Sequence, residues 1–168
     1  MLALLLLSHS YGKDKFVMFL FITYSAGLAI EILGVNTKLI FGDYEYGKTL
    51  GLKLFGTPLM IGVNWVILIY CTGVFLSGFK LPVFIRSMIG ATLLVFLDVL
   101  IEPVAVKFDY WHWKEPNIPL QNYIAWFIFS ALLLHLFSFL HFKKNNPAAI
   151  VLLCTQLLFF AALNLWAF

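Results

Sequence analysis

The chain has 168 residues, of which 62% are hydrophobic and 11% charged, with a formal net charge of +3 and a mean hydropathy of +0.96. Soluble domains carry about 25% charged residues, so a water-soluble core is excluded. The small basic excess lies between apolar segments and offers no nucleic-acid surface, and the length allows one compact unit, 1–168, without a separate soluble domain.

About 20 apolar residues cross a bilayer. The opening "MLALLLLSHS" is too short for that and lacks the basic n-region of a signal peptide, so residues 1–8 read as the end of a first helix. Longer runs follow at roughly 16–33, 58–77, 84–106, 122–142 and 147–167. Their periodicity is helical and their length excludes ordinary strands. The expected fold is therefore all-α: a polytopic transmembrane helix bundle of five full spans plus a partial amino-terminal one. Cys71 and Cys154 both fall inside apolar runs, as packed thiols do, and no disulfide framework is expected.

The connections alternate between two faces. Three short links, "HSYGKDK", "GFKLPVFIR" and "KKNN", hold Lys13, Lys15, Lys80, Arg86, Lys143 and Lys144 with one acid, Asp14. Two long loops on the other face, 34–57 and 107–121, hold Lys38, Lys48, Lys53, Lys107 and Lys114 with four acids. The basic residues are denser in the short links, which assigns that face to the cytoplasm by the positive-inside rule. The expected location is the cytoplasmic membrane of a bacterium or archaeon.

The unusual polar residues collect at the long-loop end. Glu31 ends its span there, as do Asp98 and Glu102, while Asn64 with Trp65 and Asn122 with Trp126 begin theirs there. A charged side chain at bilayer depth costs roughly 2.5–3.5 kcal/mol, so intramembrane acids are functional candidates. Asp98 and Glu102 are spaced i, i+4 and share a helix face, which Ser87, Gly90, Ala91 and Leu94 continue as a small-residue packing stripe. Two such acids cannot both ionise cheaply in a poor dielectric, so one is expected to keep its proton and serve as a general acid. Pro103 follows directly and deprives the Val99 carbonyl of its helical donor. The plainer alternative is a helix-end pair wetted by headgroup water. Glu31, on a face with Tyr24 and Gly27, is either a third member of the site or a residue snorkelling at the interface.

The loops carry two aromatic motifs. "FGDYEYGKTLG" (41–51) has no helical amphipathicity and reads as a folded re-entrant or surface loop. Its Tyr44 and Tyr46 either line an apolar pocket with hydroxyls at the reacting end or belong to an interfacial aromatic belt. In "YWHWKEPNIP" (110–119), Trp111 and Trp113 suit a belt or a platform for a conjugated ligand. His112 has no second histidine nearby, so no metal site is expected. P-loop, dinucleotide, nucleophile-elbow and HExxH motifs are absent, and no cofactor is expected.

"EILGVNTKLIFGDYEYGKTLGLKLFGTPLMIGVNW" (31–65), "DVLIEPVAVKFDYWHW" (98–113) and "NYIAW" (122–126) together resemble the membrane-bound carotenoid 1,2-hydratases. That family includes the bisanhydrobacterioruberin hydratases and γ-carotene 1′-hydroxylases. The resemblance implies addition of water to the terminal double bond of an acyclic ψ end group, giving a tertiary 1-hydroxy carotenoid. It also implies a lipid-soluble carotenoid substrate, a setting of membrane lipids, and room for association with other carotenoid-pathway enzymes. On this reading Asp98, Glu102 and Glu31 supply acid, counter-charge and base. Tyr44, Tyr46, Asn64 and Asn122 complete the polar lining, and Trp65, Trp111, Trp113 and Trp126 wall the polyene end. Three other readings use the same acids: a carotenoid end-group cyclase or isomerase, a small transporter, and a non-catalytic scaffold. A transporter predicts polar groups along a path through the membrane, and near the middle only Thr155 and Gln156 stand out in the sequence.

Overall fold

A computed structural model describes residues 1–9 and 13–166. Residues 10–12 of the first short link, and residue 167 at the end of the last expected span, lie outside the described residues.

The described residues form six helices: α1 (Leu2–Ser8), α2 (Lys13–Thr37), α3 (Leu59–Ser77), α4 (Val83–Lys107), α5 (Leu120–Phe139) and α6 (Pro147–Trp166). All but α1 are long and apolar enough to cross a membrane, so the fold is an all-α polytopic bundle. Helix α3 is central, with 72% of its apolar window buried, against 17% for the peripheral α6. Helices that are apolar all round bury only what their neighbours cover and leave the rest to lipid.

Close approach of the helices rests on small residues. A Cβ placed on Gly73 of α3 would sit 2.6 Å from the ring of Phe137 on α5, and one on Gly27 of α2 would sit 2.6 Å from Trp65 Cγ on α3. Small residues let backbones approach where lipid gives no hydrophobic drive to association. The stripe foreseen on α4 is the packed one: Ser87, Gly90, Ala91 and Leu94 are all buried. At the short-loop end a polar clasp joins α1, α3 and α6. His9 Nδ1 and the Tyr70 hydroxyl hydrogen-bond at 2.8 Å, and Asn146 Nδ2 donates to that hydroxyl at 3.1 Å.

Several boundaries differ from the expected ones. Helix α2 runs to Thr37, four residues past its apolar run. Asn36 Nδ2 and Thr37 Oγ1 bond back to the carbonyls of Ile32 and Leu33 at 2.8 and 2.6 Å, and Lys38, at φ 63°, closes the end with its N–H on Gly34 O. Helix α4 continues through Pro103 to Lys107. Two turns before α4 ends, Asn164 of α6 donates to Leu100 O at 2.8 Å. Helix α5 stops at Phe139, three residues short of the expected end, where Leu140 turns extended.

The two long loops contain short strands, which the sequence reading did not foresee. Strand β1 (Tyr44–Tyr46) pairs antiparallel with β4 (Trp111–Trp113), in the register Tyr44↔Trp113, Glu45↔His112 and Tyr46↔Trp111. Strands β2 (Lys53–Leu54) and β3 (Thr57–Pro58) form a hairpin around Phe55 and Gly56, whose φ values of 48° and 83° follow the type I′ pattern.

Candidate active site

The β1–β4 pair is the device that builds the site. Side chains alternate across a strand, so Tyr44, Tyr46, Trp111 and Trp113 face the bundle while Glu45 and His112 face away. Backbone bonds from Gly47 N to Tyr110 O (2.9 Å) and from Lys114 N to Asp43 O (3.0 Å) lengthen the ladder at both ends. The outer side is pinned by charge. Asp109 accepts from Lys48 N at 3.1 Å and meets His112 Nε2 at 2.7 Å, which holds its carboxyl below the usual range. Asp43 meets Lys38 at 2.9 Å and Lys114 at 3.3 Å, and it too is lowered, chiefly by the Lys38 hydrogen bond.

Beneath this clasp lies a cavity of about 470 Å³, counting its open mouth. All three carboxyl groups line it, and all three are buried, Asp98 at 1%, Glu102 at 3% and Glu31 at 4% exposure. The snorkelling alternative for Glu31 and the wetted helix-end alternative for the α4 pair do not describe side chains this enclosed.

Each carboxyl group has its own donor set. Glu31 Oε2 accepts from the hydroxyls of Tyr44 and Tyr46, both at 2.7 Å, and its Oε1 accepts from Trp65 Nε1 at 3.0 Å. Glu102 Oε2 accepts from Trp111 Nε1 and Trp113 Nε1, both at 2.9 Å. Asp98 Oδ2 accepts from Asn122 Nδ2 at 3.0 Å, its one hydrogen bond among the described residues. The tyrosines are therefore pocket residues, and burial together with the Glu31 carboxylate pushes both phenols far above the ordinary tyrosine value. They remain neutral donors at any working pH.

The apolar wall completes the chamber. Trp65 and Trp126 stack with centroids 4.5 Å apart, and Tyr44 packs on Trp113 at 5.2 Å. Asn64 lines the same space. The structure thus brings together all the residues assigned in the sequence to acid, base, polar-lining and aromatic-wall roles, from four helices and two loops. It adds Phe41, Ile61 and Ile101, which sequence reasoning missed. Helical spacing was the available signal for two of them: Ile61 lies four before Trp65, and Ile101 three after Asp98.

Other expectations need correction or addition. Thr155 and Gln156 are not the whole mid-bundle polar set. Thr23, Thr72 and Ser130 are fully buried as well, their hydroxyls without a hydrogen-bond partner among the described residues, and Thr155 faces outward. Among the described residues no group of three or more His, Cys, Asp or Glu is arranged to hold a metal ion. His112 spends its Nε2 on Asp109 at the exposed rim.

These features define a class: a polytopic membrane-helix protein whose long-loop end encloses three carboxyl groups within aromatic walls. The whole chain, residues 1–168, matches the family described as carotenoid biosynthesis protein, and it belongs to that family. It is also similar to the bisanhydrobacterioruberin hydratase of Haloarcula japonica (strain ATCC 49778 / DSM 6131 / JCM 7785 / NBRC 101032 / NCIMB 13157 / TR-1). The two are 26% identical over 129 residues, covering 69% of this chain and 42% of that protein. The chain therefore spans less than half the length of this curated relative. No solved structure matches it.

Proposed function

We propose that the protein is a cofactor-independent hydratase adding water across the terminal 1,2 double bond of an acyclic carotenoid end group. The observation that carries this reading is the joint burial of Glu31, Asp98 and Glu102 around one aromatic-walled cavity. The family and the similar hydratase supply the substrate class.

The donor sets distribute the roles. Asp98, with one hydrogen bond, is the carboxyl that keeps its proton, because Glu31 with three donors and Glu102 with two are stabilised as anions. The Asp98 proton passes to the less substituted alkene carbon and leaves a tertiary cation. The anions and the faces of Trp65 and Trp126 stabilise that charge. A water attacks the cation and gives up one proton to a carboxylate, with Glu102 as the nearest base in sequence to the acid. One water is consumed, the carboxyl group is restored after proton exchange, and no electrons are transferred. The apolar helix surfaces carry the rest of the polyene, which enters sideways from the lipid.

The proposed setting is the cytoplasmic membrane, with the short-loop face inward. The decisive experiment is expression in a bacterium that makes lycopene or γ-carotene. Extracts should contain a product heavier by one water that carries a tertiary hydroxyl. A product of unchanged mass would indicate cyclisation or isomerisation, and no product at all would end the enzymatic reading.

A further inference from the structure

A second, shallow cleft, of about 190 Å³ counting the open space at its mouth, lies at the opposite end of the bundle, between the C-terminal turns of α3 and α5 and the first turns of α4. Arg86 lines it beside Ser77, Ser87 and Ser138. The Arg86 Nε is buried with no hydrogen-bond partner among the described residues, although a buried guanidinium N–H is costly to leave unmatched. The hydroxyls of Ser77 and Ser87 donate back to Gly73 O and Val83 O, at 2.7 and 3.0 Å, and neither oxygen accepts from the guanidinium Nε.

A second cation is held on Ser138, a residue that lines the same cleft. Lys144 donates to Ser138 O at 2.8 Å and lies over the rings of Phe137 and Phe142. Burial and the nearby charge of Arg86 hold this ammonium below the usual lysine range. Two cationic groups gathered at one cleft favour an anionic partner. The three ion pairs among the described residues all lie at the long-loop end, on Asp43 and Asp109. Asp14 is the only acid in the short links, and it makes no ion pair among the described residues.

We propose that this cleft binds a phosphate-bearing group, held by the Arg86 guanidinium and the Lys144 ammonium. A guanidinium matches phosphate geometry with two parallel hydrogen bonds, and Lys144 has ammonium protons to spare after its bond to Ser138 O. The cleft sits where membrane-spanning helices end, the depth at which lipid phosphates lie and basic pockets between helices capture them. The chemistry is shared by an anionic phospholipid headgroup and by free phosphate. The site is independent of the hydratase reading, since it lies at the other end of the bundle.

The test is native mass spectrometry of the detergent-purified protein titrated with phosphatidylglycerol, with phosphate-free diacylglycerol as the control lipid. Melting is followed in parallel with and without inorganic phosphate. Preferential phosphatidylglycerol adducts without a phosphate-induced rise in Tm identify a headgroup site. A rise in Tm with inorganic phosphate in lipid-free protein identifies free phosphate. In either case the Arg86→Gln/Lys144→Gln variant should bind its ligand on the order of 10- to 30-fold more weakly, the scale of two lost cationic contacts at a membrane surface. Should that variant lose its helical content, Ser138→Leu fills the cleft with both cations intact and should weaken binding likewise. Equal retention of phosphatidylglycerol and diacylglycerol with no phosphate effect on Tm would overturn the proposal, as would a folded variant that binds like the unmodified protein.

Discussion

Trp65 donates its indole N–H to Glu31 Oε1 at 3.0 Å, joining the centre of the bundle to the carboxylate of the neighbouring α2. The same indole stacks on Trp126 and packs against Gly27, one turn before Glu31. One ring therefore sets a hydrogen bond, a cavity wall and a helix–helix distance at once.

That packing predicts the effect of Gly27→Ala. The added methyl would meet Trp65 Cβ and Cγ at 2.7 and 2.6 Å, so the indole must move. Overpacking of this kind costs about 1–3 kcal/mol, and displacement of the ring also lengthens the bond to Glu31. A lower Tm in detergent together with reduced product yield is expected. An unchanged Tm would mean that α2 and α3 are less tightly apposed than described.

The unequal donor sets predict unequal variants. Asp98→Asn removes the proposed proton donor while keeping the Asn122 contact feasible, and should lower turnover by about 10²–10⁴-fold, the range for general acid catalysis. Glu31→Gln removes the proposed counter-charge and should cost on the order of 10²–10³-fold, as for other preorganised electrostatic contacts. Product quantification by chromatography in the carotenoid-producing host reads both. Full yield from Asp98→Asn would move the acid role elsewhere and favour a scaffold.

The two buried phenols predict an alkaline limb in stability. Their folded values lie far above the ordinary value of about 10, so above that pH the folded state holds protons that the unfolded state has released. Stability is then fully present below about pH 10 and falls as pH rises, by about 1.4 kcal/mol per pH unit for each phenol. Melting curves from pH 8 to 11 should show a shallower decline for Tyr44→Phe/Tyr46→Phe than for the unmodified protein. Parallel declines would place the phenols in contact with solvent.

The loop clasp predicts a separation of activity from folding. Gly47 lies directly against the Asp109 backbone carbonyl, which has no flexible end to yield to a new methyl. Gly47→Ala should part β1 from β4 and displace the tyrosine and tryptophan donors. Ångström-scale misplacement of this kind costs on the order of 100-fold in rate, while the helices, packed elsewhere, keep their far-UV circular dichroism. Unchanged product yield would show that the clasp does not set the site.

The spans were legible because membrane insertion writes itself as long apolar runs, and each run has its helix. The acids were legible for the same reason, since a charge such as Asp98 within such a run stands out against its cost. The β1–β4 pairing was harder to see. Tyr44–Tyr46 and Trp111–Trp113 each alternate aromatic with polar, but three-residue strands more than 60 positions apart carry no local sign of their partner. The arginine cleft was invisible for a similar reason, because Ser77, Arg86 and Ser138 meet only through helix packing.

By itself, the order of residues determined which segments enter the membrane, which end collects the polar groups and which side chains are costly enough to need a purpose. Those are properties of single segments against solvent. Only the tertiary structure decided which donor faces which carboxyl group: phenols and an indole on Glu31, two indoles on Glu102, one amide on Asp98. Hydrogen bonds depend on distances between distant parts of the chain, and packing alone sets those distances.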